Sequence, residues 1–81
     1  MPPLVTLYTR AGCCLCDQAK SVIQAARRRT PFDYEEVDID SDPALRAEFN
    51  DHIPVVSINH VRAFKYRLDL REFLKKLAAR A

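Results

Sequence analysis

Cys13-Cys14-Leu15-Cys16 is the segment of this sequence whose residue types and spacing could do chemistry. The residues before it, Leu4 to Thr9, are β-branched, aliphatic or aromatic for the most part, which predicts a strand. Apolar residues after it recur at the spacing of one helix face. A Cys-x-x-Cys pair at a strand-to-helix junction lies where unpaired backbone N–H groups and the helix dipole favour a thiolate. The segment therefore indicates redox chemistry or a metal site.

Helix geometry separates the pairings that the three cysteines allow. Cys13 and Cys16 are one turn apart on the same side of a helix start, whereas Cys14 points elsewhere. Only the pair Cys13–Cys16 suits disulfide geometry without backbone distortion. Because Cys13 comes first and should be the more exposed, we predict that it is the attacking nucleophile and that Cys16 resolves the mixed disulfide. Cys14 is interpreted as a small surface residue, with a second redox thiol or a cluster ligand as the alternative.

Charged neighbours bear on the reactivity of this pair. Arg10 precedes it and Lys20 follows it, and positive charges lower the pKa of a cysteine. Asp17 acts in the opposite direction, because a carboxylate disfavours a second negative charge beside it. We therefore expect a reactive but not extreme thiol at Cys13.

Length and composition limit the class of protein. The 81 residues predict one domain, spanning residues 1–81, and 48% hydrophobic with 30% charged residues is typical of a folded soluble protein. No apolar run approaches the roughly 20 residues that cross a bilayer, and the N-terminus lacks the pattern of a signal peptide. The chain is therefore expected in the cytoplasm, without a membrane partner. A net charge of +2 is too small to predict nucleic-acid binding.

The remaining pattern predicts the order β-α-β-α-β-β-α. The first helix should run from about Cys14 to Arg29 and stop before Pro31. A strand follows at Phe32 to Ile39, where the apolar positions change phase between Tyr34 and Val37, so we expect a bulge or an irregular start. Ser41-Asp42-Pro43 predicts the start of a second helix. A strand from Ile53 to Ile58, a turn at Asn59-His60 and a returning strand from Val61 to Tyr66 predict a hairpin. Asp69 and Glu72 form a capping box before a last helix, whose apolar stripe is Leu70, Phe73, Leu74, Leu77 and Ala78.

These elements predict a four-stranded mixed sheet between two layers of helices, a three-layer α/β/α sandwich. The first two strands should be parallel because a helix connects them, and the last two should form an antiparallel hairpin. The cysteines then lie at the carboxyl end of the first strand, where open α/β sheets place their ligand sites.

The chain resembles the glutaredoxin-like proteins of the thioredoxin superfamily over nearly its whole length. The matching segments are Leu7 to Asp17 with its Cys-x-Leu-Cys, Ile53-Pro54-Val55-Val56, and Phe64 to Asp69. The resemblance implies that Pro54 is cis and that the backbone of Ile53 pairs with a bound peptide or glutathione. It also places Arg67 in the family's Tyr-Arg-x-Asp segment, and we include Arg10 and Arg67 among the expected substrate-binding residues.

Two departures from the dithiol glutaredoxins concern the ligand. Cys14-Leu15 replaces their proline and tyrosine, and Phe64-Lys65-Tyr66 stands near the position of their two glycines before the last helix. Bulky side chains where backbone approach is needed count against glutathione binding.

The leading hypothesis is a monomeric thiol–disulfide oxidoreductase that needs no cofactor beyond an electron donor. Its partners would be a disulfide-containing protein or small thiol, with glutathione or a thioredoxin-type reductase as the donor. A metal or iron–sulfur protein using the cysteines with His52 or His60 is the second hypothesis. The third is a binding module whose basic residues Arg62, Lys65 and Arg67 meet an acidic partner.

Overall fold

A computed structural model describes residues 2–80 and shows the predicted order of elements. The strands are β1 (Leu4–Thr9), β2 (Asp33–Asp38), β3 (Val55–Ile58) and β4 (Val61–Lys65), and the helices are α1 (Cys14–Arg29), α2 (Pro43–Phe49) and α3 (Leu70–Arg80). A 3-10 turn at Ile39–Ser41, which the sequence pattern did not predict, joins β2 to the residues before α2.

The strands form one mixed sheet in the order β2-β1-β3-β4. β1 and β2 are parallel, while β1–β3 and β3–β4 are antiparallel. This arrangement confirms the predicted four-stranded mixed sheet and its terminal hairpin. The hairpin turn is made by Asn59 and His60 with φ of 52° and 67°, as expected for residue types that tolerate positive φ.

The prediction of a bulge or an irregular start in the second strand is wrong. β1 and β2 pair without interruption from Leu4 opposite Asp33 to Thr9 opposite Asp38, and the irregularity of the sheet lies instead between Val56 and Ser57. The change of phase in β2 has another cause. Tyr34 lies opposite Val5 and packs on one core, whereas Val37 lies opposite Tyr8, which belongs to the other core. A strand covered by helices on both faces accommodates apolar residues of both phases.

The two cores lie on opposite faces of the sheet. On one face α1 and α3 pack against β1 and β3, and this core comprises Val5, Leu7, Ala19, Ile23, Ala26, Phe32, Val56, Ile58, Phe73 and Leu77. On the other face the 3-10 turn and α2 supply Ile39 and Phe49, which pack with Val55. Helices on both sides of the sheet confirm the three-layer α/β/α sandwich.

The predicted caps are present at the starts of α2 and α3. Asp42 caps α2 through the Ala44 amide and Pro43 is the first helical residue, while the Glu72 amide bonds Asp69 Oδ2 at 3.2 Å. Ala78, predicted in the buried stripe of the last helix, is exposed. The returning strand ends at Lys65 rather than Tyr66.

Tyr66 leaves the strand because its φ is +69°, which no extended residue adopts. Among residues 2–80, no helix is long and apolar enough to cross a membrane.

Candidate redox site

The cysteine segment forms the start of α1. Cys13 is the N-cap residue with an extended backbone, and its Sγ accepts a hydrogen bond from the Cys16 amide at 3.2 Å. The sulfur thus takes the position that a serine or aspartate oxygen usually fills at a helix start. Cys13 is half-buried, Cys14 is exposed, and Cys16 is buried with 3% of its surface accessible. An incoming disulfide therefore meets Cys13 rather than Cys16.

Cys13 and Cys16 face each other. Burial raises the pKa of the Cys16 thiol, and a hydrogen bond between the Cys16 and Cys13 side chains raises it further. Hydrogen bonds from the Thr9 side chain and the Arg10 backbone act in the opposite direction and lower it. The two sulfurs are therefore within reach of one another, and Cys16 holds its proton more firmly than an exposed cysteine does.

The turn that delivers the chain from β1 to the cysteines depends on Gly12. Its φ is +78°, in the left-handed region that side chains with a Cβ disfavour. A Cβ at this position would meet no atom within 4 Å, so the requirement for glycine comes from the backbone and not from crowding.

Both cations predicted to act on the thiols are paired with carboxylates. Arg10 Nη2 lies 2.8 Å from Asp40 Oδ1 and also donates to Asn50 Oδ1 at 2.9 Å. The hydrogen bond with Arg10 lowers the pKa of Asp40. Lys20 Nζ lies 3.0 Å from Glu36 Oε1, and its hydrogen bond lowers the pKa of that carboxyl. Arg10, predicted to bind substrate, thus tethers β1 to the 3-10 turn and to the end of α2.

A polar cavity of about 270 Å³ lies beside the buried sulfur. Its lining comprises Thr9, Arg10, Ala11, Gly12, Cys16, Asp17, Lys20, Glu36 and Asp38. The cavity brings solvent space and ionised side chains to the thiol that would resolve a mixed disulfide. Solvent and polar side chains are therefore next to Cys16 and available to accept its proton.

The segment before β3 lies at the same end of the sheet as the cysteines. Tyr8 pairs with Val55, so Pro54 lies beside the chain that leaves β1 toward α1. The Ile53–Pro54 peptide bond is cis, as the family resemblance implied. Pro54 is buried and Ile53 is half-buried.

Arg67 lies beside the first turns of α1. It lines a cleft of about 170 Å³ together with Leu15, Gln18, Ala19, Val22, Tyr66 and Leu68. Arg67 is exposed, as is Leu15 with 36% of its surface accessible. The structure thus brings Ile53, Pro54 and Arg67 to the end of the sheet that carries the thiols.

The two histidines lie in different places. His60 is in the hairpin that follows Ile58, and Ile58 pairs with Val5, so this turn is at the opposite end of the sheet from the cysteines. His52 Nδ1 lies 3.2 Å from the Tyr66 hydroxyl. Within residues 2–80 no group of three or more His, Cys, Asp or Glu side chains is placed to hold a metal ion.

Two residues at this end of the sheet were missed from the sequence. Thr9 bonds the Cys16 thiol, and no sequence signal distinguishes it from any other threonine ending a strand. Tyr66 was predicted as the last residue of the returning strand, yet it contacts the segment before β3 through several hydrogen bonds. The dithiol glutaredoxins have two glycines near this position, and this was the sequence signal for an unusual backbone at Tyr66.

Comparison with known proteins supports the family that these features indicate. A sequence model of the Glutaredoxin-like domain (DUF836) matches residues 4–78. An uncharacterised protein of Mycobacterium tuberculosis is 37% identical over an alignment of 62 positions, and the match covers 70% of this chain and 64% of that protein. A glutaredoxin-like protein of Dictyostelium discoideum is 34% identical over an alignment of 71 positions, and the match covers 80% of this chain and 66% of its own length. The chain thus spans slightly less than two thirds of these relatives.

Solved structures agree with the sequence comparison. The X-ray structure of a structural-genomics target protein from X. campestris has a TM-score of 0.79 and 32% identity, covering 93% of this chain and 96% of that one. A thioredoxin of Halobacterium salinarum, at 12% identity, shares the fold with a TM-score of 0.72 over 95% of this chain and 73% of its own. The chain belongs to the family of the Glutaredoxin-like domain (DUF836) and has the thioredoxin fold.

Proposed function

We propose that this protein is a thiol–disulfide oxidoreductase whose redox pair is Cys13 and Cys16. The observation that carries the proposal is the N-cap position of Cys13, with its sulfur hydrogen-bonded to the Cys16 amide and facing the Cys16 thiol. The amide and the helix terminus stabilise negative charge on Cys13, and the second sulfur is close enough to displace a bound product.

The reaction has two exchange steps. The Cys13 thiolate attacks one sulfur of a substrate disulfide, a new S–S bond forms, and the other substrate sulfur leaves with the bonding electrons and takes up a proton. Cys16 then loses its proton and attacks the Cys13 sulfur, which releases the second substrate thiol and leaves a Cys13–Cys16 disulfide. The substrate gains two electrons, and an external dithiol or two thiols restore the reduced pair.

Substrate contacts are assigned to the surface around Cys13. We assign pairing with an extended peptide to the backbone of Ile53 beside the cis Pro54, as the family resemblance implies, and a further contact to exposed Arg67, which shares a cleft with Leu15 of α1. Arg10 contributes by holding the turn before Cys13 to Asp40. We propose a disulfide-containing protein or small thiol as partner, glutathione or a thioredoxin-type reductase as donor, no further cofactor, and a monomer acting in the cytoplasm.

Serine variants of the individual cysteines test the assignment. Cys13→Ser should abolish reduction of a model disulfide with dithiothreitol as donor, because the attacking sulfur is lost. Without dithiothreitol, the Cys16→Ser variant should still attack through Cys13 and should accumulate a mixed disulfide that mass spectrometry detects as an added substrate mass. Exposed Cys14→Ser is the matched control and should keep the activity. Undiminished turnover by Cys13→Ser would refute the proposal.

A further inference from the structure

Tyr66 connects β4 to the segment that precedes β3. Its backbone amide donates to the Pro54 carbonyl at 2.8 Å. Its hydroxyl donates to the Asp51 carbonyl at 3.0 Å and lies 3.2 Å from His52 Nδ1. Because the hydroxyl hydrogen goes to Asp51, the hydrogen of the contact with His52 belongs to the imidazole. One residue thus bonds three members of the segment 51–54, which contains the proposed peptide-binding backbone.

The backbone of Tyr66 has an unusual conformation. Its φ is +69°, and the Arg67 amide donates to the Lys65 carbonyl at 2.8 Å, which closes a three-residue turn around Tyr66. A γ-turn with positive φ at its central residue is rare and strained, above all for an aromatic residue. Such conformations persist where surrounding contacts determine them, and they cluster at ligand-binding sites. The bonds to Asp51, His52 and Pro54 are the contacts that do so here.

The side chain of Tyr66 belongs to neither core, and its ring centroid lies 6.3 Å from that of His52. Tyr66 is 40% exposed, and Lys65 Nζ lies 5.1 Å from its ring centroid, so the ring is at the surface rather than in either core. What the side chain supplies is its hydroxyl, at a fixed distance from the backbone of the segment 51–54. Its role is therefore to hold this backbone.

We propose that Tyr66 is a positioning residue that fixes the segment 51–54 for pairing with an extended peptide, and so makes the protein selective for peptide disulfides over small ones. The proposal rests on the proposed function. A peptide disulfide gains its affinity from the Ile53 backbone as well as from Cys13, whereas a small aromatic disulfide needs little beyond the sulfur. Loosening the segment therefore weakens the binding of the peptide disulfide more than the binding of the small disulfide.

Tyr66→Phe tests this, because phenylalanine keeps the ring and the amide bond to Pro54 but loses the hydroxyl bonds to Asp51 and His52. The probes are a synthetic peptide joined by a disulfide to a fluorescent thiol, and dithiobis(nitrobenzoate) as the small disulfide. We expect the ratio of the two kcat/KM values, peptide over small disulfide, to fall about fivefold, mainly through a higher peptide KM, as for loss of a typical hydrogen bond. Tyr66→Gly, which tolerates positive φ and has no side chain, should lower the ratio at least as much.

Tyr8→Phe is the matched control. Tyr8 stacks on Phe49 with ring centroids 4.4 Å apart, and its hydroxyl bonds no other residue in the described part of the chain. In Tyr8→Phe the ratio of the two kcat/KM values, peptide over small disulfide, should equal that of the wild type. Equal losses for both disulfides in Tyr66→Phe, or no change in either, would overturn the selectivity.

Amide hydrogen exchange separates failure of this inference from failure of the proposed function. In Tyr66→Phe, exchange at the His52 amide, which donates to the Phe49 carbonyl at 2.9 Å, should become faster while exchange within β1 stays as in the wild type. Unchanged exchange at the His52 amide would overturn the positioning role whether or not the protein reduces disulfides. A wild-type protein that reduces neither probe would overturn the proposed function, and with it the selectivity assigned to Tyr66.

Discussion

Release of product from the mixed disulfide should become faster as the pH rises, because Cys16 must lose its proton before it attacks. An unperturbed cysteine has a pKa of about 8.5, and burial, which is the largest cause of the raised pKa of Cys16 and does not depend on a free Cys13 thiol, keeps that pKa above the unperturbed value. At any pH well below the pKa, the thiolate fraction increases tenfold per unit. The first-order rate of release should therefore rise about tenfold per pH unit between about pH 6 and 8.

Rapid mixing of reduced protein with dithiobis(nitrobenzoate) measures this step directly. Attack by Cys13 releases one coloured thiolate, and attack by Cys16 on the resulting mixed disulfide releases the second. The second phase reports the resolving step, because it does not depend on the reagent concentration. The measurement is made in a Cys14→Ser background so that the exposed third thiol does not react.

Two results would refute this reasoning. A second phase whose rate is constant over this pH range would mean that Cys16 is already ionised, against the effect of its burial. A second phase that persists in Cys16→Ser would mean that another group releases the product. A slope of one decade per pH unit that disappears with Cys16 supports the division of roles between the two sulfurs.

Three further predictions concern the framework of the site. Phe73 is fully buried and its ring meets Phe32 edge-on, so Phe73→Ala should lower the free energy of urea unfolding by about 3–5 kcal/mol, whereas Leu15→Ala at the exposed helix start should change it by less than about 0.5 kcal/mol. Gly12→Ala should cost about 1–2 kcal/mol by the same measurement, because the φ of +78° disfavours a Cβ even where space is open, and no loss would contradict the left-handed turn. Arg10 lowers the pKa of Asp40, so the stabilisation of the folded state by this pair is complete above about pH 4 and is lost as the pH falls through the lowered pKa. Asp40→Asn should therefore flatten the acid limb of a curve of folding stability against pH, and an unchanged limb would count against the pair.

Local patterns in the sequence predict most of the fold. The bounds of α1 follow from the cysteine segment and from Pro31, and Asp42-Pro43 marks the start of α2 as it would in any chain. Asn59-His60 between two apolar runs predicts the hairpin for the same reason. Each of these features is set by residues within a few positions of one another, which is the range over which capping and turn preferences act.

What the sequence does not predict depends on partners far along the chain. Lys20 was expected to act on the thiols, but it pairs with Glu36, and this pairing depends on the position of β2 beside β1 in the sheet. The continuous register of β2 likewise depends on helices covering both faces, which local phase cannot show. Tyr66 has the composition of a strand residue, and its left-handed backbone is imposed by bonds to residues more than ten positions away.

The pairing of Arg10 and Lys20 changes the expected electrostatics of the site. Each cation was predicted to favour a Cys13 thiolate, but each lies within 3.0 Å of a carboxylate oxygen, which offsets its charge nearby. The group bonded to the Cys13 sulfur is the Cys16 amide, at the positive end of α1. The Cys13 sulfur is therefore contacted by the backbone of the helix start, whereas both neighbouring cations are engaged by carboxylates. Substituting Lys20 should then alter the attack by Cys13 less than shortening or distorting the first turn of α1.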